Sequence, residues 1–351
     1  MSGRNLMERK FKTYSEIISQ ADVLVQTARD LSEDPHFVAA REILRSTRQL
    51  IFTGCGSSFH IGEIASFVFN SLGYNAQAVP GSELLLYPSI FLKAPCPAVI
   101  GITRSGNTTE TVLALRRVRG LGVRDIIPIT CYQDSDILAE SPHSLIFHRG
   151  QEQGLVMTRA FTVILYGLCR MALEAMNRSA LELHTIPAWI QHSIDCNEAA
   201  IRKLAENRKW TKVIFLGSGV FQGLAREASL KLKEMTGMQA EPYQSYEFRH
   251  GPKAIVDGNT LVFLFSSVEE LDYVNAVIRD LSSMGATVVQ IGRKKIEDES
   301  VVSLPDTDLS ITTLFQPLAL VHIPQLFAFF KTVSMGANPD TPLHLTRVVT
   351  I

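Results

Sequence analysis

The stretch Leu50-Ile-Phe-Thr-Gly-Cys-Gly-Ser-Ser58 and its later counterpart Val213-Ile-Phe-Leu-Gly-Ser-Gly-Val220 decide the fold. Each is a short apolar run rich in β-branched and aromatic residues, and each ends in glycines that precede a helical apolar pattern. Further apolar runs recur in the same order in both halves, at residues 99–103, 126–130 and 144–148 and again at 262–265, 287–291 and 308–312. This recurrence predicts an internal duplication of one structural unit.

Strands that alternate with helical patterns of this length predict βαβ units and parallel sheets. We therefore expect an α/β protein with two tandem doubly wound domains, each a parallel sheet between two helical layers. The predicted segments are an N-terminal helix in residues 1–32, the domains 33–180 and 195–340, and a C-terminal tail in 341–351. Sheets of this kind bind ligands at the carboxyl ends of their strands, where the glycine loops lie.

The composition excludes several classes of protein. Of the 351 residues, 46% are hydrophobic and 20% are charged, which is typical of a globular protein. The 34 Lys and Arg balance the 35 Asp and Glu, so no broad positive field is available to attract nucleic acid or a membrane surface. The most apolar late stretch, 314–330, is interrupted by Gln, His and Pro, and we expect a buried helix there.

The five cysteines are far apart and form no CxxC pair, so the sequence predicts neither a disulfide framework nor a metal site. The N-terminus lacks the apolar core of a signal peptide. These features favour a cytoplasmic protein. Cys55, beside a glycine loop, is better interpreted as a packed thiol than as a nucleophile, since no activating base is evident.

Two loops of the first half carry hydroxyl groups where an anion site is expected. Residues 54–58 place Gly56, Ser57 and Ser58 between a strand and a helix, and residues 103–109 place hydroxyls around Gly106. Glycine turns before helices expose backbone N–H groups to anions. The alternative is that these Ser and Thr residues only cap helices. Two such loops at consecutive strand ends favour a phosphate site.

The second half keeps the glycines, but apolar residues replace the hydroxyls that follow them in the first half. Apolar residues follow Gly219, and the next strand is followed by Glu269 and Glu270. The loop at residues 54–62 matches neither the dinucleotide pattern GxGxxG nor a Walker A sequence. We therefore expect one site per chain, built on the first half.

Titratable groups that could do chemistry lie in the second half. Lys231 and Glu234 are three residues apart on a predicted helix, so they share one face. A solvent-exposed ion pair is the alternative for such a pair. His250 lies in the loop EFRHGPK (247–253), where it is a candidate acid–base group, although a lone histidine is more often structural.

The motifs GCGSS (54–58), TRSGNTTET (103–111), EASLKLKE (227–234), EFRHGPK (247–253) and LTRVVTI (345–351) resemble those of the sugar isomerase (SIS) family. The resemblance covers nearly the whole chain. The sequence is similar to the isomerase half of glucosamine-6-phosphate synthase, without the synthase's glutaminase domain. It is more closely similar to stand-alone tagatose-6-phosphate ketose/aldose isomerases and amino-sugar-phosphate deaminases. Fructosamine-6-phosphate deglycases are a further similar branch.

The resemblance implies a role for each motif. The sugar 6-phosphate would be held by Gly56, Ser57, Ser58, Thr103, Arg104, Ser105 and Thr108. Glu234 would move a proton between C1 and C2, Lys231 would position the sugar, and His250 would open the ring from the partner subunit. The loop at 152–162, with Leu155 and Met157, would line the sugar site.

The tail departs from the synthase pattern. The synthase carries a lysine that forms an imine with the ketose, and the matching position here is Arg347, which cannot form one. We expect Arg347 to cover the bound sugar as part of a lid; the alternative is a surface charge on the tail.

The resemblance thus implies an isomerase that needs neither metal nor redox cofactor and releases ammonia from a phosphorylated amino sugar, in a homodimer or dimer of dimers with shared active sites. The alternatives are a fructosamine-6-phosphate deglycase, a glutamine-independent synthase-like isomerase, or a non-catalytic sugar-phosphate sensor. A sensor would usually carry a DNA-binding segment, and the residues before the first strand are too few for one.

Overall fold

The computed structural model describes residues 8–93, 95–267, 270–292, 301–304 and 311–346. These residues form two compact units. One comprises Ser19–Pro187, and the other comprises Ala188–Leu345 together with the described residues up to Ile18. Each unit contains one parallel sheet with helices packed on it, as the sequence predicts, and each sheet has five strands. We propose residues 33–180 and 195–340 as the bounds of the two domains.

The first unit has the strand order β2-β1-β3-β4-β5. Its strands are buried except at the β2 edge, and apolar residues from both faces meet the helices. The elements of this unit are α2 (Gln20–Glu33), α3 (Pro35–Ser46), β1 (Gln49–Gly54), α4 (Ser57–Ser71), β2 (Asn75–Pro80), α5 (Gly81–Leu86), α6 (Pro88–Phe91), β3 (Ala98–Ile102), α7 (Thr109–Gly120), β4 (Ile126–Thr130), β5 (Leu145–Ile146) and α8 (Arg159–Ala175).

The second unit repeats this order, with β7-β6-β8-β9-β10 in place of β2-β1-β3-β4-β5. This equivalence confirms the duplication. The elements are α1 (Lys12–Ile18), α9 (Ile186–Glu206), β6 (Lys212–Gly217), α10 (Val220–Thr236), β7 (Ala240–Tyr243), β8 (Thr260–Phe265), α11 (Leu271–Ser283), β9 (Thr287–Ile291), β10 (Val301–Ser303), α12 (Gln316–Leu320) and α13 (His322–Ser334).

The sequence did not predict the edge strands β2 and β7. Their sequences, NAQAVP and AEPY, contain no apolar run, because an edge strand is covered on fewer sides and tolerates polar residues and proline. The fourth strand predicted for the second half covers residues 308–312. For the two residues of this range that the structure describes, the prediction is wrong. Residues 311 and 312 are not in a strand, residues 305–310 lie outside the described residues, and the described strand beside β9 is β10.

The N-terminal helix is in fact two helices, α1 and α2, separated at Ser19. In the second unit, α1 packs on α13 through Tyr14 and Phe329, whose ring centroids are 5.1 Å apart. The carboxylate of Asp340 accepts hydrogen bonds from the backbone N–H groups of Lys12 (3.0 Å) and Thr13 (2.8 Å) and so caps α1. The two helices therefore have different packing partners, which the shared helical pattern did not reveal.

The apolar stretch Thr313–Ser334 is long and apolar enough to span a membrane, yet most of it is buried inside the protein. It contains α12 and α13, and Phe327 of α13 packs edge-on against Phe263 of β8 with centroids 4.8 Å apart. Residues 322–332 of α13 are all buried, because the helix lies in the core of the second unit. The expectation of a buried helix is met.

Candidate functional site

The first loop of the site is a glycine turn between β1 and α4. Gly56 has φ 56° and ψ −127°, and its counterpart Gly219 before α10 has φ 56° and ψ −126°. A side chain rarely adopts this backbone conformation, so both repeats require glycine here. The turn places Ser57 and Ser58, both buried, at the start of α4.

The second loop follows β3, which lies beside β1 in the sheet. Its hydroxyls face one another: the Thr103 Oγ1 is 2.8 Å from the Thr108 Oγ1 and 3.4 Å from the Ser105 Oγ. The backbone N–H of Asn107 donates to the Ser105 Oγ at 3.2 Å. We call Ser57, Ser58, Thr103, Ser105 and Thr108 the hydroxyl cup.

The structure argues against the alternative in which these hydroxyls only cap helices. Gly56 and Thr108 occupy the N-cap positions of α4 and α7, and neither helix has a side-chain hydrogen bond at its cap among the residues described. The Thr108 hydroxyl pairs with Thr103 instead. The starts of α4 and α7 and these hydroxyls thus lie at the ends of two adjacent strands of the first sheet.

Arg104, expected to hold phosphate, points its guanidinium at another loop. Its Nη1 donates to the Glu152 Oε2 at 2.8 Å and its Nη2 donates to the carbonyl oxygen of Leu155 at 2.7 Å. Burial acts to lower the pKa of Arg104, but the Glu152 carboxylate outweighs it, so this pKa lies above its ordinary value. The positive charge is thereby paired within the protein.

The loop before α8 is organised by Glu152, the first residue of the loop 152–162, for which the sequence predicts no role of its own. Its Oε1 accepts hydrogen bonds from the Thr158 N–H (2.7 Å), the Thr158 hydroxyl (2.8 Å) and the Ala160 N–H (3.2 Å). A carboxylate at a helix N-terminus satisfies N–H groups and complements the helix dipole. In the same loop Leu155 is half-buried and Met157 is buried.

The second unit holds a buried charge cluster on α10. The Lys231 Nζ lies 2.5 Å from the Glu234 Oε2 and 3.4 Å from the Glu227 Oε1. The side chains of Lys231 and Glu227 are fully buried, and that of Glu234 is 21% exposed. The alternative of a solvent-exposed ion pair is therefore wrong. Sequence reasoning missed Glu227, although its spacing of four residues from Lys231 was visible.

His250 lies in an exposed loop after the short turn Glu247–Arg249. Within the described part of the chain, its imidazole makes no hydrogen bond or ion pair. On the same loop, Arg249 donates to Asp280 at 2.9 Å and Lys253 at 3.3 Å, and these bonds hold the pKa of Asp280 below its ordinary value. The loop thus presents His250 outward. Arg347 lies outside the described residues.

The equivalent loop of the second sheet contains a carboxylate contact. The backbone N–H of Ser267, after β8, donates to the Glu270 Oε2 at 3.3 Å. A carboxylate of the protein therefore contacts one backbone donor at this strand end. In the first unit, burial raises the pKa of Cys55, whose Sγ lies 3.7 Å from the Thr111 Oγ1, as expected of a packed thiol.

Fold and site together define a duplicated α/β protein with a hydroxyl-lined loop pair at the carboxyl ends of its first sheet. The SIS domain model matches residues 43–173 and 207–314. The chain belongs to the SIS domain family.

Curated relatives include glutamine–fructose-6-phosphate aminotransferase (isomerizing) of Sulfurisphaera tokodaii, 27% identical over 88% of this chain and 51% of that protein. The protein of the same name from Aeropyrum pernix is 28% identical over 96% of this chain and 56% of its own length. The chain thus spans about half the length of these relatives.

Similar solved structures match over all or nearly all of their length. Glucosamine-6-phosphate deaminase from Thermotoga maritima superposes with a TM-score of 0.82 at 28% identity, covering 97% of this chain and 100% of that one. Tagatose-6-phosphate ketose/aldose isomerase from Escherichia coli superposes with a TM-score of 0.83 at 25% identity, covering 95% of each chain.

Proposed function

We propose that this protein is a cytoplasmic sugar-phosphate aldose/ketose isomerase that acts on a hexosamine 6-phosphate and releases ammonia. The observation that carries the proposal is the Lys231 ammonium buried between Glu227 and Glu234 on α10. Burying such charges costs free energy that a merely structural helix would avoid, so the cluster favours a role in proton transfer. The full-length similarity to a glucosamine-6-phosphate deaminase supports the reaction class.

The hydroxyl cup is the proposed phosphate site. Its hydroxyls, with the N–H groups at the starts of α4 and α7, would hold the dianion without a net positive charge. Binding energy from this remote group would orient the sugar for the chemical step. The Arg104 guanidinium is paired with Glu152 of the neighbouring loop.

Glu234 is the proposed base. It would remove the proton from C2 of the open-chain 2-amino sugar and return a proton to C1, which gives a ketimine. Water would then hydrolyse the ketimine to the ketose phosphate and ammonia. Lys231 holds one carboxylate oxygen of Glu234 at 2.5 Å and would orient this base. The 21% exposure of Glu234 leaves it able to meet a substrate.

His250 is proposed to open the sugar ring in the site of a neighbouring subunit, because its loop is exposed. This requires a homodimer or a dimer of dimers, and closed two-fold dimers are the commonest oligomers. Mixed dimers of Glu234→Gln and His250→Ala chains should recover part of the activity that each variant lacks. Mixed dimers of verified composition that stay inactive would assign both residues to one chain's site.

A synthase-like isomerisation is the second candidate, because the curated relatives are isomerizing aminotransferases. Arg347 argues against an imine route, since a guanidinium stays protonated and cannot form the imine. Borohydride should therefore trap no sugar on the protein. A reduced sugar adduct on a lysine would favour the synthase-like candidate.

The deciding experiment is a coupled ammonia assay with glucosamine 6-phosphate, galactosamine 6-phosphate and a fructosamine 6-phosphate, with Glu234→Gln as control. Ammonia from a hexosamine phosphate supports the proposal. Release of an amino acid from the fructosamine substrate would indicate a deglycase instead. Tight binding of every sugar phosphate with no turnover would indicate a sensor.

A further inference from the structure

Arg104 and Glu152 form a bridge between two loops of the first unit. Arg104 leaves the loop that carries Thr103 and Ser105, and it reaches 48 residues along the chain to Glu152 and 51 residues to Leu155. Glu152 in turn bonds three donors at the start of α8 through its other oxygen. One guanidinium and one carboxylate thus link the hydroxyl cup to the loop 151–158.

The end of β4 is tied into the same network. The Tyr132 hydroxyl donates to the carbonyl oxygen of Glu152 at 2.8 Å and accepts the Glu152 N–H at 3.0 Å. The Cys131 N–H donates to the carbonyl oxygen of Arg104 at 3.0 Å. The segments that follow β3, β4 and β5 therefore meet at the Arg104–Glu152 bridge.

The bridge is almost completely withdrawn from solvent. The Arg104 side chain is 10% exposed and the Glu152 side chain is 0% exposed. Two buried charges at 2.8 Å neutralise each other, so removing either one leaves an uncompensated charge in the interior. The positive charge of Arg104 is therefore paired with Glu152 and not with a group of the hydroxyl cup.

We infer that Arg104 and Glu152 are positioning residues that set the loop 151–158 against the hydroxyl cup, and that Arg104 is not a ligand of the phosphate. The inference rests on the proposed function only in taking the loop to line the sugar. The bridge would fix where the sugar carbons lie once the phosphate is bound. Phosphate affinity and correct placement of the reacting carbons would then depend on different residues.

The shape of the guanidinium is essential to this role. Its Nη1 and Nη2 serve two acceptors at once, a carboxylate and a carbonyl, at 2.8 and 2.7 Å. A lysine ammonium lacks this planar fork. Arg104→Lys should therefore behave like Arg104→Gln in catalysis, even though it keeps the charge.

The test compares Arg104→Gln, Arg104→Lys, Glu152→Gln and the double variant Arg104→Gln/Glu152→Gln. We expect kcat to fall at least about tenfold in each, as misplacement of reacting groups typically causes. The double variant should lose little more than either single variant, because the two residues act as one unit. The affinity for inorganic phosphate, measured by calorimetry, should stay within about twofold of wild type, since no bond to the anion is lost.

A matched control is available in the same unit. Glu140 is another buried carboxylate, 1% exposed, and it pairs with Arg116 at 2.9 Å and Arg119 at 3.0 Å rather than with Arg104. Glu140→Gln should lower stability but leave kcat, KM and phosphate affinity unchanged. A tenfold loss of phosphate affinity in Arg104→Gln but not in Glu152→Gln would overturn the inference and make Arg104 a phosphate ligand.

Hydrogen exchange separates this inference from the proposed reaction. The amides of residues 151–158 should exchange faster in Arg104→Gln and Glu152→Gln than in wild type and Glu140→Gln. This measurement needs no turnover, so it stays informative if no sugar phosphate proves to be a substrate. Unchanged exchange in both bridge variants would refute the positioning role.

Discussion

Replacing Lys231 by methionine tests the buried cluster on α10. Methionine keeps a long unbranched stem, so most packing survives while the charge is lost. Glu227, whose side chain is fully buried 3.4 Å from the ammonium, then lacks this counter-charge. Glu234 is affected less, because it is 21% exposed and can be solvated.

The size of the effect follows from the buried charge that the variant no longer pairs with an ammonium. Removing one member of a buried ion pair costs about 3–5 kcal/mol. We therefore expect Lys231→Met to lower the free energy of unfolding by about 3–5 kcal/mol at pH 7.

Urea unfolding followed by tryptophan fluorescence measures this loss. Trp189 and Trp210, the two tryptophans of the chain, both lie in the unit that contains α10. The double variant Glu227→Gln/Lys231→Met is the matched control, because it also removes the buried Glu227 carboxylate and should recover most of the stability. A loss below about 1 kcal/mol at pH 7 would refute the buried-cluster reasoning.

Three further predictions concern the hydroxyl cup, the base and a buried histidine. Ser105→Ala and Thr108→Val should each weaken binding of a sugar 6-phosphate by about 1–2 kcal/mol, or about 5–30-fold in Kd; equal losses for the unphosphorylated sugar in calorimetry would contradict a phosphate site. Glu234→Gln should lower kcat by about 10²–10⁴-fold with the Kd for substrate nearly unchanged; near-normal exchange of solvent protons into the sugar would remove Glu234 from the mechanism. Burial lowers the pKa of His322 to about 3, so between about pH 6.5 and pH 3 the unfolded chain takes up a proton that the folded chain excludes. The free energy of unfolding should therefore decrease as the pH is lowered through this window, and this group should account for about 2 kcal/mol of the decrease at pH 5. His322→Gln should remove that part of the pH dependence in unfolding titrations. Parallel pH dependences for variant and wild type would contradict the prediction.

Much of the architecture could be predicted because it depends on patterns of residues that are close together in the sequence. An apolar run that ends in glycines and is followed by a helical pattern occurs twice, and the runs after it keep the same order. The edge strands β2 and β7 could not be predicted, because a strand with few buried positions carries no apolar run. The separation of α1 from α2 was missed for a related reason, since both helices continue one amphipathic pattern.

Some features of the candidate site could likewise be predicted from the sequence, and others could not. The hydroxyls of the cup were visible because they stand in the two loops that follow adjacent strands, and neighbours in sequence there are neighbours in space. The partner of Arg104 was not visible, because Glu152 lies 48 residues away and only the packing of α8 brings it close. Local spacing placed Lys231 beside Glu234, but burial decided whether that pair is solvated.

By itself, then, the sequence determined the duplicated α/β fold, the glycine turns at Gly56 and Gly219, and the position of the hydroxyl cup, because each depends on residues close together in the chain. Only the tertiary structure decided that Arg104 bonds Glu152 and that Lys231 is buried with Glu227. The physical reason is that the state of a charged side chain depends on the solvent and counter-charges around it, and these are supplied by elements far away in sequence.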